Sequence, residues 1–253
     1  MADSPLTTAE LERAGLRLDV DDAVATITLA RPERRNALTF STWRTLARIG
    51  ETLPDGVRVV VVRGDGPSFS AGIDVRLFSP EGVPGEDTSG PRDEEFIAGL
   101  QAGYLWLRRP DIVSIAAVHG HAIGGGFQLA LACALRVVAE DVKFAMKEPA
   151  LGIVPDLTGT KPLVDIVGVS RALEICLTTR TIFADEAARL GLAELVVPAA
   201  ELDSAVADLV AAILQVKPET AAATKRLLRQ APHNTLEEQA AAERREQLPL
   251  LGG

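Results

Sequence analysis

Ile112-Val113-Ser114-Ile115-Ala116-Ala117-Val118, then Gly120-His121-Ala122-Ile123-Gly124-Gly125-Gly126, then Phe127 to Ala134: this stretch decides the architecture. Its first seven residues form an apolar run that reads as a buried strand, and the residues after the glycines follow a helical pattern. A strand that turns on glycine into a helix leaves backbone N–H groups without an intrahelical partner, directed at whatever lies above the sheet. About fifty residues upstream the arrangement recurs, with Val57 to Val62 as the apolar run and Phe69-Ser70-Ala71-Gly72-Ile73-Asp74 as the turn. Two such turns converging on one point supply two fixed donors for a carbonyl oxygen that becomes negative during reaction, an oxyanion hole. Taken singly, each set of glycines serves a tight turn equally well.

Working outward, Leu16 to Val20 and Val24 to Leu29 alternate with period two around Asp21-Asp22-Ala23, a hairpin pattern ended by Arg31-Pro32. Thr39 to Leu53 reads as a helix closed by Pro54, and Glu94 to Arg108 as another. Residues 79–93 hold Pro, Gly, Glu, Asp and Ser, which predicts a mobile surface loop. Short strands are expected near 135–139, 142–146 and 193–197. Beyond residue 158 helical segments dominate, near 160–167, 170–178, 185–190, 199–215, 218–230 and 235–247. The pattern is an α/β core followed by a helical tail, divided as a polar extension (1–15), a core (16–198) and a C-terminal helical region (199–253).

A chain of 253 residues with 47% apolar content buries a full-sized core, and a net charge of −9 argues against nucleic acid as a partner, which needs clustered Lys and Arg. Cys133 and Cys176 are the only cysteines and share no metal or CxxC spacing, so both read as free thiols and no metal site is expected. Met1 to Gly15 lacks a signal-peptide layout, and no apolar run reaches the length of a membrane span. These features predict a cytoplasmic protein with no membrane partner. The only GxGxxG-like stretch has the wrong spacing for a dinucleotide, so no dinucleotide site is expected.

Four motifs now stand in order: Arg31-Pro32-Glu33-Arg34-Arg35-Asn36-Ala37-Leu38, Phe69 to Asp74, Gly120 to Gly126, and Phe144-Ala145 with Glu148, Gly152 and Pro155. Together they resemble the crotonase superfamily of enoyl-CoA hydratases and isomerases, from roughly Leu16 to Leu228. The resemblance implies a crotonase-like spiral of ββα units with a C-terminal helical trimerisation region, assembled as a homotrimer or a dimer of trimers. It implies an acyl-CoA thioester as ligand, with coenzyme A part of the substrate and no separate cofactor. It also implies that the hole is made by the N–H groups of Ile73 and Gly125, with Ala71, Asp74, Arg35 and Arg76 among the substrate-binding residues. Two backbone donors and a helix N-terminus suit the enolate that forms when carbon beside a thioester loses a proton.

Family hydratases carry two glutamates; the matching positions here are Gln128 and Glu148. Gln128 can hold a water by hydrogen bonds but cannot take its proton at neutral pH. Glu148, ahead of Pro149 at an expected strand end, reads either as a desolvated proton shuttle or as a solvated partner of Lys147. Asp156 stands where family dienoyl-CoA isomerases place a second acid, and reads equally as an N-cap for a helix starting near Thr158. Arg34, Arg35 and Arg76 are either phosphate contacts or solvated surface, and His119 and His121 read as loop or core residues. Family members usually continue past the helix matching Leu236–Leu248, so part of the nucleotide cover is expected to be absent. The sequence thus allows hydration, a one-base isomerisation of a 3-enoyl-CoA, or a two-acid isomerisation of a dienoyl-CoA through Glu148 and Asp156. A non-catalytic acyl-CoA-binding protein is the alternative of another class.

Overall fold

Apolar strands and glycine turns place each passage of the chain across two sheets. The computed structural model describes residues 6–251. Among the described residues the strands are β1 (Leu16–Asp21), β2 (Val24–Leu29), β3 (Val59–Gly64), β4 (Val113–Val118), β5 (His121–Ile123), β6 (Leu135–Ala139), β7 (Lys143–Ala145), β8 (Ile182–Phe183) and β9 (Leu195–Val197). The helices are α1 (Thr8–Arg13), α2 (Phe40–Thr52), α3 (Glu94–Leu105), α4 (Gly125–Ala132), α5 (Thr160–Thr178), α6 (Ala184–Leu190), α7 (Leu202–Leu214), α8 (Pro218–Gln230) and α9 (Leu236–Leu251).

The larger sheet has the order β1-β2-β3-β4-β6-β9 and the smaller one β5-β7-β8. β1 and β2 form the expected antiparallel hairpin, with Leu16 opposite Leu29, and all later pairs in the larger sheet are parallel. Each turn of the chain gives one strand to the large sheet, one short extended segment at the small sheet, then a helix: β4, β5, α4, followed by β6, β7, α5. The two earlier turns follow the same rule in reduced form. Leu38 bridges Ile73 before α2, and Ser70 bridges Ala122 before α3, both in parallel sense. This is a spiral of ββα units, and it brings the ends of successive turns into contact.

Both faces of the large sheet are covered, which explains the unbroken Val59-Val60-Val61-Val62 run. Val60 and Val62 face a core with Trp43, Leu46 and Ile49 of α2. Val59 and Val61 face the other way, with Ile115, Ala117, Val137 and Ala139 against Leu202 and Val206 of α7. Each fully buried aliphatic contributes about 1.5–3 kcal/mol relative to exposure.

Several boundaries differ from the sequence reading for local reasons. The glycine turn contains strand β5, and the helix after it begins at Gly125 rather than Phe127, because Gly124 takes a non-helical φ of 50° and ψ of −120° as N-cap. The N-terminal polar segment includes α1, closed by a Thr7–Glu10 capping box and anchored by buried Leu11. Its first five residues lie outside the described range. Residues 79–93 lack regular structure as expected but are tethered. Glu86 accepts the Ser41 N–H at the start of α2, Val83 is buried, and Arg92 donates to the Leu77 carbonyl while stacking on Phe40 and Phe78. α5 breaks at Gly168, which has φ 75° and gives the two expected segments. No helix among the described residues is long and apolar enough to cross a membrane.

Candidate active site

Asn36, buried and in the left-handed region at φ 54°, is the pin of the first motif. Its side chain accepts the Arg31 N–H and donates to the carbonyls of Asp65 and Ser68, tying three loop segments together. Ser70, also buried, donates to the Asn36 carbonyl and accepts the Gly72 N–H. The Phe69-Ser70 backbone then pairs with the other turn: Phe69 and Ser70 donate to the carbonyls of His119 and His121, and Ile123 donates to Ser70. The two glycine turns are therefore one hydrogen-bonded unit.

Their contact is tightest at Gly72, where φ is +83°. A methyl group built there would collide with the Ile123 carbonyl oxygen and lie 3.4 Å from the Gly125 nitrogen. The next residue, Ile73, is held by bonds on either side of it: Leu38 donates to the Gly72 carbonyl and Asp74 donates to Leu38, both at 2.8 Å. Among the described residues, neither the Ile73 N–H nor the Gly125 N–H has a backbone partner. Gly125 is the first residue of α4, so its donor adds to the positive end of that helix.

Glu148 opens a short 3-10 turn (Glu148–Leu151), three residues past β7 rather than at its end. It is 6% exposed and packs over Gly124, where a methyl would lie 3.0 Å from Oε1. Gln128 Nε2 donates to Glu148 Oε1 at 2.6 Å. Glu148 Oε2 is buried without a partner. Burial pushes the carboxyl's pKa up, and the nearby Asp156 charge pushes in the same direction. Lys147 is not its ion partner; that ammonium bonds the Thr179 carbonyl instead.

Gln128 is fully buried, and its orientation follows from its partners. Oε1 accepts the N–H groups of Leu157 and Gly159 at 2.9 and 3.1 Å, while the amide donates to Glu148. Its oxygen is thus committed to the backbone, where the sequence reading had it hold a water. Asp156 is half-buried, with burial raising its pKa. It does not cap the following helix: α5 begins at Thr160, with Gly159 as N-cap and no side-chain cap bond.

The four residues expected to meet substrate divide. Asp74 is buried and paired with Arg76 at 2.7 Å and Arg31 at 3.2 Å, and the Arg76 guanidinium beside it holds its carboxyl down at about 2. That pairing makes Asp74 a brace for the turn, and it engages Arg76 within the chain. Ala71 is half-buried at the turn and donates to the Arg35 carbonyl, while the Arg35 side chain is exposed. His119 and His121 contact the Gly66 carbonyl and the Ser68 hydroxyl in the loop behind the turns.

Sequence reasoning passed over two further contacts. Tyr104 of α3 donates to the Gly125 carbonyl at 2.8 Å, and Gln101, one turn earlier, donates to the Asp156 carbonyl at 2.7 Å. Both are side chain to backbone across long sequence separations, so no local pattern marks them.

Residues 19–249 match the family model described as enoyl-CoA hydratase/isomerase. A Bacillus subtilis (strain 168) protein described as an enoyl-CoA hydratase is 34% identical over 222 residues, covering 84% of this chain and 81% of its own. A peroxisomal Delta(3,5)-Delta(2,4)-dienoyl-CoA isomerase of Arabidopsis thaliana is 33% identical over 223 residues, covering 84% and 80%. Among solved structures, a Thermobifida fusca YX protein described as an enoyl-CoA hydratase in complex with CoA is 55% identical. It superposes with a TM-score of 0.94, over 100% of this chain and 98% of that one.

Proposed function

The chain belongs to the enoyl-CoA hydratase/isomerase family, and from that premise we propose that it forms the enolate of an acyl-CoA thioester and relocates a proton, with double-bond migration as its reaction. The observation that carries this is the unpartnered Glu148 Oε2, buried beside a turn that ends in the free Gly125 donor. In this mechanism the thioester oxygen lies between the N–H groups of Ile73 and Gly125. Glu148, as carboxylate, takes a proton from C2 of a 3-enoyl-CoA. The C–H electron pair becomes the enolate double bond, and the carbonyl π pair moves onto oxygen, where two fixed donors stabilise it. When the carbonyl re-forms, the double bond settles between C2 and C3, and C4 takes the proton back from Glu148. The carboxylate is regenerated and no atom is gained or lost.

Hydration needs a group that accepts a proton from water beside a second acid. Gln128 is an amide with its oxygen committed to two backbone donors, so it fixes Glu148 instead. A second reading is favoured by Asp156, whose charge adds to burial in raising the Glu148 pKa and which does not cap α5. With Glu148 and Asp156 as paired acids, the substrate is a 3,5-dienoyl-CoA. Ala71 and the exposed Arg35 are the contacts proposed for the CoA portion, with the turn braced by Asp74 and Arg76. Residues 16–198 carry the site and residues 199–253 serve assembly. A homotrimer or a dimer of trimers in the cytoplasm is part of the same proposal, and the exposed apolar face of α5 with Val169, Leu173 and Leu177 adds to the surface offered for assembly.

The test is incubation with a 2-enoyl-CoA, a 3-enoyl-CoA and a 3,5-dienoyl-CoA in deuterated water. Isomerisation of either of the last two, with label at the carbon that takes the proton back (C4 of the 2-enoyl product, C6 of the 2,4-dienoyl product) and a loss of roughly 100- to 10,000-fold in Glu148→Gln, is the expected result. Full activity in that variant removes the shuttle role. Rapid hydration without isomerisation removes the proposed reaction, and tight binding without label exchange leaves only a carrier.

A further inference from the structure

The Gly124-Gly125-Gly126 segment has no side chain to hold it, yet its central N–H must keep one direction if it is a donor to substrate. On the N-terminal side the backbone is tied at Gly124, whose N–H donates to the Ala145 carbonyl at 2.8 Å and whose carbonyl accepts the Gln128 N–H at 2.9 Å. On the C-terminal side the helical bonding of α4 is joined by a tie from outside the spiral turn. Helix α3 lies close on α2: a methyl built on Gly103 would sit 2.5 Å from the Trp43 carbonyl oxygen. That close approach brings Tyr104 into the core at 0% exposure, with its hydroxyl 2.8 Å from the Gly125 carbonyl. The two peptide planes that flank the Gly125 Cα are therefore both anchored.

We propose that Tyr104 is a positioning residue for the Gly125 donor, holding the peptide plane after Gly125 so that the N–H before it points at the substrate's carbonyl oxygen. This rests on the hole proposed above. The tyrosine acts through the backbone, and burial keeps its phenol protonated and donating across the working pH range. Gln101 provides a matched control, since it sits on the same helix face and grips the Asp156 carbonyl instead.

Tyr104 is the only tyrosine in the chain, so 3-fluorotyrosine labels this site alone. The readouts are kcat, KM and the absorption of a bound arylacrylyl-CoA, whose red shift reports polarisation of its carbonyl. Tyr104→Phe is expected to bind the thioester within about twofold of the parent, to lower kcat about tenfold and to diminish the red shift, as fits loss of one net hydrogen bond. Gln101→Ala is expected to leave the red shift in place. An unchanged red shift and kcat in Tyr104→Phe overturns the proposal. Absence of any red shift in the parent protein overturns the hole itself, which separates the two claims. Should Tyr104→Phe fail to fold, the fluorotyrosine protein decides: an altered red shift together with a fluorine resonance that moves on ligand binding supports the role. No change in either removes it.

Discussion

Glu148, the proposed proton shuttle, shows how a single residue can trade stability for chemistry. Its carboxyl is nearly buried, one oxygen is held by Gln128 and the other has no partner, so ionising it in the folded protein is costly. A raised folded pKa means that the native state binds the proton more tightly than the unfolded chain. The penalty is therefore absent below the unfolded value and complete once pH exceeds the folded one. Glu148→Gln keeps the acceptor for Gln128 and removes the charge. Thermal unfolding is expected to show this variant more stable than the parent at pH 8, by about 1 kcal/mol or ~2–4 °C, with the gain shrinking as pH falls toward 4. The same carboxylate must be ionised to accept a proton, so kcat/KM is expected to rise with pH through a midpoint above the usual glutamate range. A midpoint at or below about 4.3 contradicts the burial argument.

At the scale of the element, the site is two turns held against each other, and Gly72 is where they touch. Gly72→Ala adds both a left-handed backbone penalty and a collision with the Ile123 carbonyl. The expected result is a loss of activity of 100-fold or more, with destabilisation of about 3 kcal/mol in urea titration; parental activity would mean that the turns need not touch. Asp74 braces the same turn through Arg76 and Arg31. Its depressed pKa places its contribution above the ordinary 3.8, with loss as pH falls toward about 2. Asp74→Asn is expected to cost about 2 kcal/mol at pH 7 and only a small part of that near pH 2, measured by urea midpoints at both values. The four-motif pattern made these turns legible. The reason for Asn36 in the first motif was not, because two of its three partners, the Asp65 and Ser68 carbonyls, lie in a loop brought near only by the spiral.

At the scale of the whole molecule, the covering layers on the two faces of the sheet are joined to it by side chains reaching for backbone. Arg136, at 4% side-chain exposure, donates to the carbonyls of Leu192 and Cys133 and pairs with Glu194, tying the start of β6 to the segment before β9. Arg58 bonds the Leu214 and Val216 carbonyls at the end of α7, and Lys225 bonds those of Arg109 and Ile112 from α8. Arg136→Ala takes the guanidinium away from two buried carbonyls and from the exposed Glu194 carboxylate, which keeps only the Arg136 N–H. It is expected to cost about 2–4 kcal/mol in the urea midpoint with the activity of the folded fraction unchanged. Long-range ties of this kind leave no periodic signature, so the sequence assigned Arg136 no role.

The sequence by itself determined the class of fold and the placing of the two glycine turns. Strand runs, glycine punctuation and helical spacing are local properties, dictated by backbone sterics and by which faces must be buried. It also supplied the residues proposed to carry the chemistry, Gln128, Glu148 and Asp156, but not their division of labour. Only the tertiary structure decided that Gln128 spends its oxygen on Leu157 and Gly159, that Asp156 caps nothing, that Arg76 closes on Asp74, and that Tyr104 grips Gly125. For Gln128 and Tyr104 the physical reason is the same. A polar side chain in the interior bonds whichever groups the packed chain brings within about 3 Å of it, and those groups lie tens of residues away or in loops without a pattern.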